Sequence, residues 1–304
     1  MVDTVIQPIG IGAIGGGYVP TNLMYPGLSQ LIVHTALPAQ VARQLFQNYP
    51  AGGKQSVTIP VEDGSPTAIA SRVGEGDMFP LDVAPVNPKT VTVYKIGRGH
   101  VITNEEVMFQ QIPMIQHKLI KLGLVLGNTI DTDCWTVISA GAYSGNDTPV
   151  TGKSLGTNGT EFTKAGTIGQ LDLVTAIKNV RTRNYEPDTL ALNPIGFSHI
   201  SYLPMYSGEY LYGKPAYQMG ERGQIEGLRV VISQNVPAGK AFVVNSGIAQ
   251  TPLGQYSPMG YFIEALPITT MTREAPERDG YEVYGKSLYV PMVAQGKTIA
   301  KLTY

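Results

Sequence analysis

Alternating apolar and polar residues predict two strands in the first third of the chain. Residues 56–61 (Ser-Val-Thr-Ile-Pro-Val) alternate, and so do residues 90–95 (Thr-Val-Thr-Val-Tyr-Lys). Residues 62–89 separate the two runs, whereas a hairpin turn takes about 2–5 residues. The pattern therefore predicts a long projecting two-stranded arm. Such an arm is only marginally stable alone, so its apolar side chains need a surface to cover, and a neighbouring subunit is a plausible one.

A long helix is predicted between Thr103 and about Ala140. Thr103 and Glu106 have the spacing of a capping box, and Pro113 is expected to break or kink the helix near Ile112. Gly123 and Gly127 lie four residues apart, which allows close backbone approach and is interpreted as ordinary tight packing. Apolar residues then recur near helical spacing at Ile115, Leu119, Leu122, Leu126, Ile130 and Val137.

The N-terminal residues show a different pattern. Residues 4–26 are rich in Gly and Pro without a helical period, which predicts an extended arm. Pro38 fits the first turn of a short helix that ends at Pro50 and the Gly52–Gly53 pair. The apolar face of that predicted helix consists of Val41, Ala42, Leu45 and Phe46.

The second half of the chain mixes short elements. Residues 141–166 indicate loops or short hairpins, and a box of Thr167 with Gln170 predicts a helix that Pro187 ends. Its predicted apolar stripe is Leu171, Val174, Ile177 and Val180. A buried strand at 189–193 and a short helix after Pro194 follow, and then a Tyr- and Gly-rich stretch over 203–227. Further strands are predicted at 228–232 and 240–244, joined by a turn at 237–239. The C-terminal part is predicted to be a strand meander with a hairpin turn at Asp279-Gly280. Its last strands are predicted at 287–291 and 298–302.

Composition adds that the surface is poor in charge. The 304 residues include 22 Lys and Arg and 23 Asp and Glu, so 15% are charged and the formal charge is -1. Typical soluble domains have about 25% charged residues, which indicates a surface committed to partners. The neutral balance argues against a free-standing nucleic-acid binder. The sequence has no apolar run of about 18 residues, so no membrane-spanning helix is predicted. It has no Lys or Arg before Arg43, so the basic start of a signal peptide is missing.

Candidate chemistry is weak throughout the sequence. Gly10, Gly12 and Gly15 have dinucleotide-loop spacing, but Pro20 blocks the helix that the motif needs and no acid occurs from residue 4 to 61. The single cysteine, Cys134, excludes an intrachain disulfide and is predicted to be buried and inert. The remaining candidates are four histidines without metal-site spacing (His34, His100, His117, His199), two carboxylate pairs (Glu75 with Asp77, Asp131 with Asp133) and the tyrosines of 203–227.

Each of these candidates has a simpler explanation. A loop and a helix face explain the two carboxylate pairs better than acid–base chemistry does. An interface loop explains the tyrosines better than a ligand pocket, because Tyr is enriched at interfaces. The sequence therefore predicts no catalytic, cofactor-binding or metal-binding residue and no cofactor.

The order of elements resembles the major capsid protein of tailed bacteriophages, which has the Hong Kong 97-like fold. Residues 57–61 followed by 74–79 (Gly-Glu-Gly-Asp-Met-Phe) resemble the extended loop of that family, and residues 101–107 resemble the start of its spine helix. The resemblance covers about residues 27–304. It extends to the axial-domain loop and strands at 206–210, 225–231 and 236–240 and to the peripheral strand at 280–284.

The resemblance implies an α+β fold in four parts. Residues 1–36 would form an N-terminal arm and residues 56–97 the extended loop. Residues 37–55, 98–140 and 259–304 would form the peripheral domain with the spine helix, and residues 141–258 the axial domain. Some family members join subunits through a Lys–Asn cross-link, but nothing local selects a pair among Lys54, Lys89 and Asn87.

The function that the resemblance implies is structural and not enzymatic. Copies would assemble as pentamers and hexamers of an icosahedral head, with the arm and loop lying across neighbours. The head would enclose double-stranded DNA without sequence-specific contact, and its partners would include portal, scaffolding and decoration proteins but no membrane. The chain would lie in the virion capsid after assembly in the host cytoplasm. An encapsulin-type nanocompartment shell is the alternative, and a cytoplasmic enzyme is a distant one.

Overall fold

The computed structural model describes residues 26–62, 86–109, 112–149, 151, 153–155, 161–163, 168–201, 224–225, 227–247 and 258–304. Residues 4–25 of the predicted extended arm, the interior of the insert and most of the Tyr- and Gly-rich stretch lie outside these residues. The helices are α1 Pro26–Ala39, α2 Asn104–Met108, α3 Ile112–Gly141, α4 Gln170–Arg181 and α5 Pro194–Ser201. The strands are β1 Gln47–Pro50, β2 Ser56–Glu62, β3 Val86–Thr92, β4 Tyr94–Thr103, β5 Thr148–Pro149, β6 Lys153–Leu155, β7 Glu161–Thr163, β8 Thr189–Leu192, β9 Gln224–Ile225, β10 Leu228–Ile232, β11 Lys240–Val244, β12 Gly260–Ala275, β13 Gly280–Val293 and β14 Ile299–Thr303.

A four-stranded sheet has the order β1-β12-β13-β4. Its centre is the long antiparallel pair of β12 and β13, which the chain connects through residues 276–279. Asp279 has a φ of 44°, in the left-handed region that Asp tolerates better than most residues. The predicted hairpin turn at Asp279-Gly280 is therefore confirmed.

A six-stranded sheet has the order β5-β14-β11-β8-β10-β9. β8 separates β10 from β11, pairing parallel with the first and antiparallel with the second. The predicted strands at 228–232 and 240–244 are confirmed, but they do not pair with each other. The predicted C-terminal meander is wrong in its last step, because β14 leaves β13 and pairs with β11. Turn residues mark where strands end and do not specify which strand each one pairs with.

Helix α3 packs against both sheets. Its predicted stripe is buried at Ile115, Leu119, Leu122, Leu126 and Ile130, which join one core cluster with residues of the four-stranded sheet. Towards its C-terminal end the Trp135 ring stacks on Phe242 of β11, with centroids 6.0 Å apart. The predicted contact of Val137 is only partial, since Ile138 takes the buried position beside it. The helix thus lies at the junction of the two sheets.

Helix α1 corrects the N-terminal prediction. Residues 26–36, which the resemblance places in the N-terminal arm, are helical, and Pro38 lies in the last turn of α1 and not in the first turn of a new helix. Residues 42–45 form a single 3-10 turn, and residues 47–50 form β1, which pairs with β12. A Cβ atom built on Gly123 would lie 2.5 Å from the Ile32 carbonyl oxygen, and one on Gly127 would lie 2.5 Å from that of Ala36. The two glycines therefore allow α1 to approach α3 closely, as predicted.

Two predicted features of the region between β4 and α3 are confirmed, the first capping box and the break at Pro113. The Glu106 N–H donates to Thr103 Oγ1 and the Thr103 N–H donates to Glu106 Oε2, both at 3.4 Å, which confirms the first capping box. The predicted break at Pro113 is confirmed, because α2 ends at Met108 and α3 begins at Ile112.

The second predicted capping box is wrong. Helix α4 begins at Gln170 after Gly169, whose N–H donates to Asp172 Oδ2 at 2.9 Å, and Thr167 lies outside the described residues. The register of its apolar stripe was also wrong in part. Val174 is exposed and Leu173 is buried in its place, while Ile177 and Val180 are buried as predicted.

The base of the predicted arm is a two-stranded sheet of β2 and β3. The predicted strand at 90–95 is divided, because β3 ends at Thr92 and β4 begins at Tyr94. The Val93 N–H donates to the Gln55 carbonyl oxygen at 2.9 Å, so the Gln55–Val93 pair is hydrogen-bonded. Hydrogen-bonded and non-hydrogen-bonded pairs alternate along an antiparallel ladder. The Val57–Val91 and Ile59–Lys89 pairs are therefore hydrogen-bonded, and the Pro60–Pro88 pair is not. The ladder therefore tolerates both prolines, since neither needs to supply a donor there.

Candidate functional site

The carboxylate pair Asp131 and Asp133 on α3 was the one candidate for acid–base chemistry within the described residues. Asp131 is fully buried and accepts four hydrogen bonds, which join three separate parts of the chain. The donors are the Ala42 N–H (2.6 Å), Trp135 Nε1 (3.0 Å), Ser233 Oγ (2.9 Å) and Asn235 Nδ2 (2.9 Å). This carboxylate is a structural junction and not a group that can reach a substrate.

Asp133 faces a different set of partners. Its Oδ2 accepts from the Tyr289 hydroxyl at 2.6 Å and from the Tyr94 hydroxyl at 3.1 Å. Burial and the neighbouring carboxylate raise the pKa of both tyrosines well above their ordinary value. Both hydroxyls therefore stay protonated and donate. The two carboxylates do not converge, and the predicted helix-face explanation holds with the correction that Asp131 faces the core.

Cys134 lies between these two carboxylates in sequence and is buried, as predicted. Burial, reinforced by the charges of Asp131 and Asp133, raises the pKa of its thiol. A raised pKa leaves little thiolate, so this cysteine is a poor nucleophile.

The histidines lie on four different elements: His34 on α1, His100 on β4, His117 on α3 and His199 on α5. The His199 ring meets the edge of Tyr304 at 5.3 Å between centroids. No group of three or more potential metal ligands occurs among the residues that the structure describes. The glycines at 10, 12 and 15 and the pair Glu75 and Asp77 lie outside those residues.

The base of the arm is fixed to its own subunit. Val57, Ile59 and Val61 are buried against the outer face of the four-stranded sheet, in a cluster with Ile263 and Val290. The opposite face of the same strands is exposed, and the hydroxyls of Thr58 and Thr90 lie 2.8 Å apart on it. These contacts fix the position of the two strands between which the insert lies in the sequence.

A cavity of about 430 Å³ lies where the arm leaves the subunit. Lys89 lines this cavity, and its Nζ donates to the carbonyl oxygens of Val293 (3.3 Å) and Ala294 (3.1 Å). Asn87 lines the same cavity, whereas Lys54 is exposed on a separate turn. Val61 and Gly141 are also part of the lining, which places the far end of the described arm beside the C-terminal end of α3.

A second surface feature lies at the opposite end of α3. Met108 and Phe109 follow each other at the end of α2 and are 77% and 74% exposed, and Met114 in the first turn of α3 is 52% exposed. Apolar side chains so exposed and so close in sequence indicate an interaction surface. The sequence signal was present, because these three residues do not belong to the buried stripe of α3, but the prediction did not use it.

Cationic side chains also lie near the N-terminal half of α3, on α3 itself and on β4. Lys118 Nζ donates to the Val101 carbonyl oxygen at 3.3 Å and pairs with Glu106 at 2.5 Å, which ties α3 to β4 and α2. Burial, and then the charges of Arg98, Lys118 and Lys121, lower the pKa of His100.

The prominent surface features of the described residues are the anchored base of the arm at one end of a long helix and an exposed apolar group at the other. No described helix is long and apolar enough to span a membrane.

Comparison with known proteins identifies the class of assembly. Solved structures with this fold include the capsid of the cyanophage P-SCSP1u (TM-score 0.61, 14% identity, covering 85% of this chain and 86% of that chain). A structure of Mycobacterium phage Bobi is similar (TM-score 0.59, 16% identity, 88% and 89% covered). So is a virus-like particle from Pyrococcus furiosus (TM-score 0.58, 11% identity, 92% and 99% covered). The fold is therefore that of capsid shell proteins, and the predicted α+β capsid fold is confirmed.

The family follows from the sequence itself. Residues 86–302 match the family described as "Phage capsid protein", so this chain belongs to that family. No curated protein sequence matches the chain significantly. The protein is a phage capsid shell protein, structural and not enzymatic, and the predicted recognition is confirmed.

Proposed function

We propose that this chain is the major capsid protein whose copies form the pentamers and hexamers of an icosahedral phage head around double-stranded DNA. The family match over residues 86–302 and the similar capsid structures support a shell subunit. The observation that carries the assembly step is the arm. Its base is packed on its own subunit by a separate apolar cluster, so the insert of residues 63–85 starts from a fixed position.

The division of labour within the subunit follows the same proposal. The four-stranded sheet with α1 and α3 would act as the peripheral part, the six-stranded sheet with α4 and α5 as the axial part near the capsomer centre, and residues 56–97 as the extended loop. The boundaries differ from the predicted ones at both termini. Residues 26–36 are helical and pack with α3, and β14 lies in the six-stranded sheet.

The proposed partners follow from the role in the head. A neutral subunit would contact packaged DNA weakly and without reading its sequence. Portal, scaffolding and decoration proteins would complete the head. Assembly would take place in the host cytoplasm, and the finished protein would lie in the virion capsid.

Electron microscopy of the purified protein tests the proposal directly. We expect closed shells, tubes or separate capsomers, with six-fold and five-fold units resolved by class averaging. Monomers or dimers under all conditions of salt and concentration would contradict the proposal.

An encapsulin-type nanocompartment shell is the second candidate. The likeness to the virus-like particle from Pyrococcus furiosus supports it, because this chain covers 99% of that chain. The contents of particles isolated from infected or producing cells separate the two functions. Nuclease-protected double-stranded DNA supports the phage head, and a packaged protein cargo without DNA supports the nanocompartment. Neighbouring genes for a portal and a terminase would also favour the head.

A deletion tests the role of the arm. Removal of residues 64–86 should leave a folded subunit that assembles poorly, because the contacts of this segment are proposed to lie between subunits. Circular dichroism and thermal melting report folding, and sedimentation reports assembly. Unfolding of the isolated deletion variant would show that the contacts are internal.

A further inference from the structure

Four basic side chains meet where β4 passes the N-terminal half of α3. Arg98 and His100 lie two residues apart on β4, so they share one face of the strand. Lys118 and Lys121 lie three residues apart on α3 and share one face of the helix. The two elements are in contact here, because Lys118 Nζ donates to the Val101 carbonyl oxygen at 3.3 Å. We name Arg98, His100, Lys118 and Lys121 the basic cluster.

The face of β4 that carries Arg98 and His100 is the face turned towards α3. Ile102 lies on the same face by alternation and is buried in one core cluster with Leu119 of α3, and Ile96 packs against that cluster. Arg98 is exposed and His100 is half-buried at the rim of this core. The basic cluster therefore opens to the surface along the junction of strand and helix.

The cluster holds more positive charge than the acids around it balance. Glu106 pairs with Lys118 at 2.5 Å, but Arg98 and Lys121 form no ion pair with an acid of the described residues. The charges that lower the pKa of His100, after the effect of burial, are all positive and belong to the other three members of the cluster. The cations are thus close enough to disfavour a further positive charge, and an anion placed among them relieves that repulsion.

The layout of the cluster suits a chain of phosphates better than a single carboxylate. Its charges are spread over the rim of two elements, with residues about 6.8 Å apart along the strand and about 4.5 Å apart along the helix axis. A DNA duplex carries one negative charge for about every 1.7 Å of its axis, so it meets cations at such spacings in any register. Contacts of this kind contribute affinity without sequence information.

We propose that the basic cluster contacts the phosphates of packaged double-stranded DNA, so that this side of the subunit faces the interior of the head. This inference rests on the proposed head function and adds the surface of the subunit that meets the DNA. The formal charge of the whole chain is -1, so the contact is local and weak for one subunit and depends strongly on salt. Many copies in one shell repeat the same contact along the enclosed duplex.

The salt dependence of DNA binding tests the surface. Unassembled subunits are titrated onto a short fluorescent duplex at a series of low salt concentrations. Each phosphate contact contributes about 0.9 to the slope of log K against log salt, so R98Q/K121Q should lower that slope by about 1.8 and weaken binding at the lowest salt at least about tenfold. K54Q/K178Q removes two exposed cations elsewhere and is the matched control, which should keep the parent slope. Circular dichroism checks that both variants are folded.

His100 provides a second readout that a purely structural role would not move. Phosphates placed among the three neighbouring cations oppose their effect, so bound duplex should raise the pKa of His100. The imidazole proton resonance followed through pH, with and without duplex, measures this change. The resonance of His199, which lies on α5 against Tyr304, is the internal control and should not respond to DNA.

Photo-crosslinking tests the contact inside particles and separates this inference from the proposed function. Leu124, which is 44% exposed one turn after Lys121, is replaced by p-benzoylphenylalanine and should capture DNA in filled particles, whereas the same replacement at Ile195 on α5 is the control. Capture of protein alone, an unchanged salt slope in R98Q/K121Q or an unmoved pKa of His100 would overturn the DNA contact. Heads that still fill with DNA would then leave the proposed function standing. Particles that contain protein cargo and no DNA would instead count against that function.

Discussion

The two ends of helix α3 differ in the exposure of their apolar side chains. Towards the C-terminal end, Asp131 and Trp135 are fully buried where two sheets and the turn at 42–45 meet. At the N-terminal end, Met114 and Lys121 face outwards. Both ends contribute to the core, since Ile115 and Leu119 are also buried, but among its described side chains α3 exposes large apolar ones only in its N-terminal half, at Met114 and Leu124. Mutations along it should therefore divide into those that unfold the subunit and those that affect only assembly.

The largest expected effect is that of Trp135→Ala. Trp135 is fully buried and stacks on Phe242, and large-to-small changes of this kind cost about 3–5 kcal/mol. Urea unfolding of the unassembled subunit measures the loss. Thr136→Ala, on the exposed side of the same turn, should cost less than about 0.5 kcal/mol. A Trp135→Ala variant as stable as the parent would break the comparison.

Removal of the Asp131 carboxylate should follow, at about 3 kcal/mol. The change Asp131→Ala leaves up to four donors without an acceptor in a buried site, and unsatisfied buried groups cost about 1–3 kcal/mol. The same urea titration applies. Thr132→Ala is the neighbouring control. If both variants lose equally little, the buried junction does not hold this end together.

A smaller loss is expected from Gly127→Val. A Cβ atom at this position would lie 2.5 Å from the Ala36 carbonyl oxygen and 2.8 Å from Ala39 Cβ, so α1 must shift. Overpacking of this kind costs about 1–3 kcal/mol. Limited proteolysis should release α1 faster from this variant than from Thr129→Val, whose side chain is exposed. Equal rates would show that the close approach is dispensable.

The smallest effect on stability is expected at the other end of the helix. Met114→Ser should change the free energy of unfolding by less than about 0.5 kcal/mol, because the side chain is half-exposed. The variant should nevertheless reduce the yield of particles in a sedimentation assay. Normal assembly would remove Met114 from the interaction surface, and a large loss of stability would place it in the core.

The sequence predicts several local features of the fold correctly, but it does not predict the strand pairing between distant segments. The capping box at Thr103 and the buried stripe of α3 depend on residues within a few turns of each other. The pairing of β8 between β10 and β11, and of β14 with β11, depends on segments far apart in the chain. Asp131 was interpreted as a helix-face residue for the same reason, since its donors Ala42 and Ser233 are remote in sequence.

The misplaced first helix has a different cause. Pro38 is compatible with the start of a helix by its fixed φ, and the predicted helix start rests on that local preference alone. Packing of α1 on the two glycines of α3 instead stabilises a helix that already exists before Pro38. Tertiary contact outweighed a local preference that was itself correctly recognised.

The opposed prolines at the base of the arm affect the tendency of separate subunits to aggregate. A two-stranded ribbon has two free edges, and each edge is a template onto which another chain can add a strand. Pro60 and Pro88 form a non-hydrogen-bonded pair, so the donors that they lack are those that would point outwards at the same level of both edges. The proline pair interrupts both templates and so disfavours strand-to-strand aggregation of the arms of separate subunits.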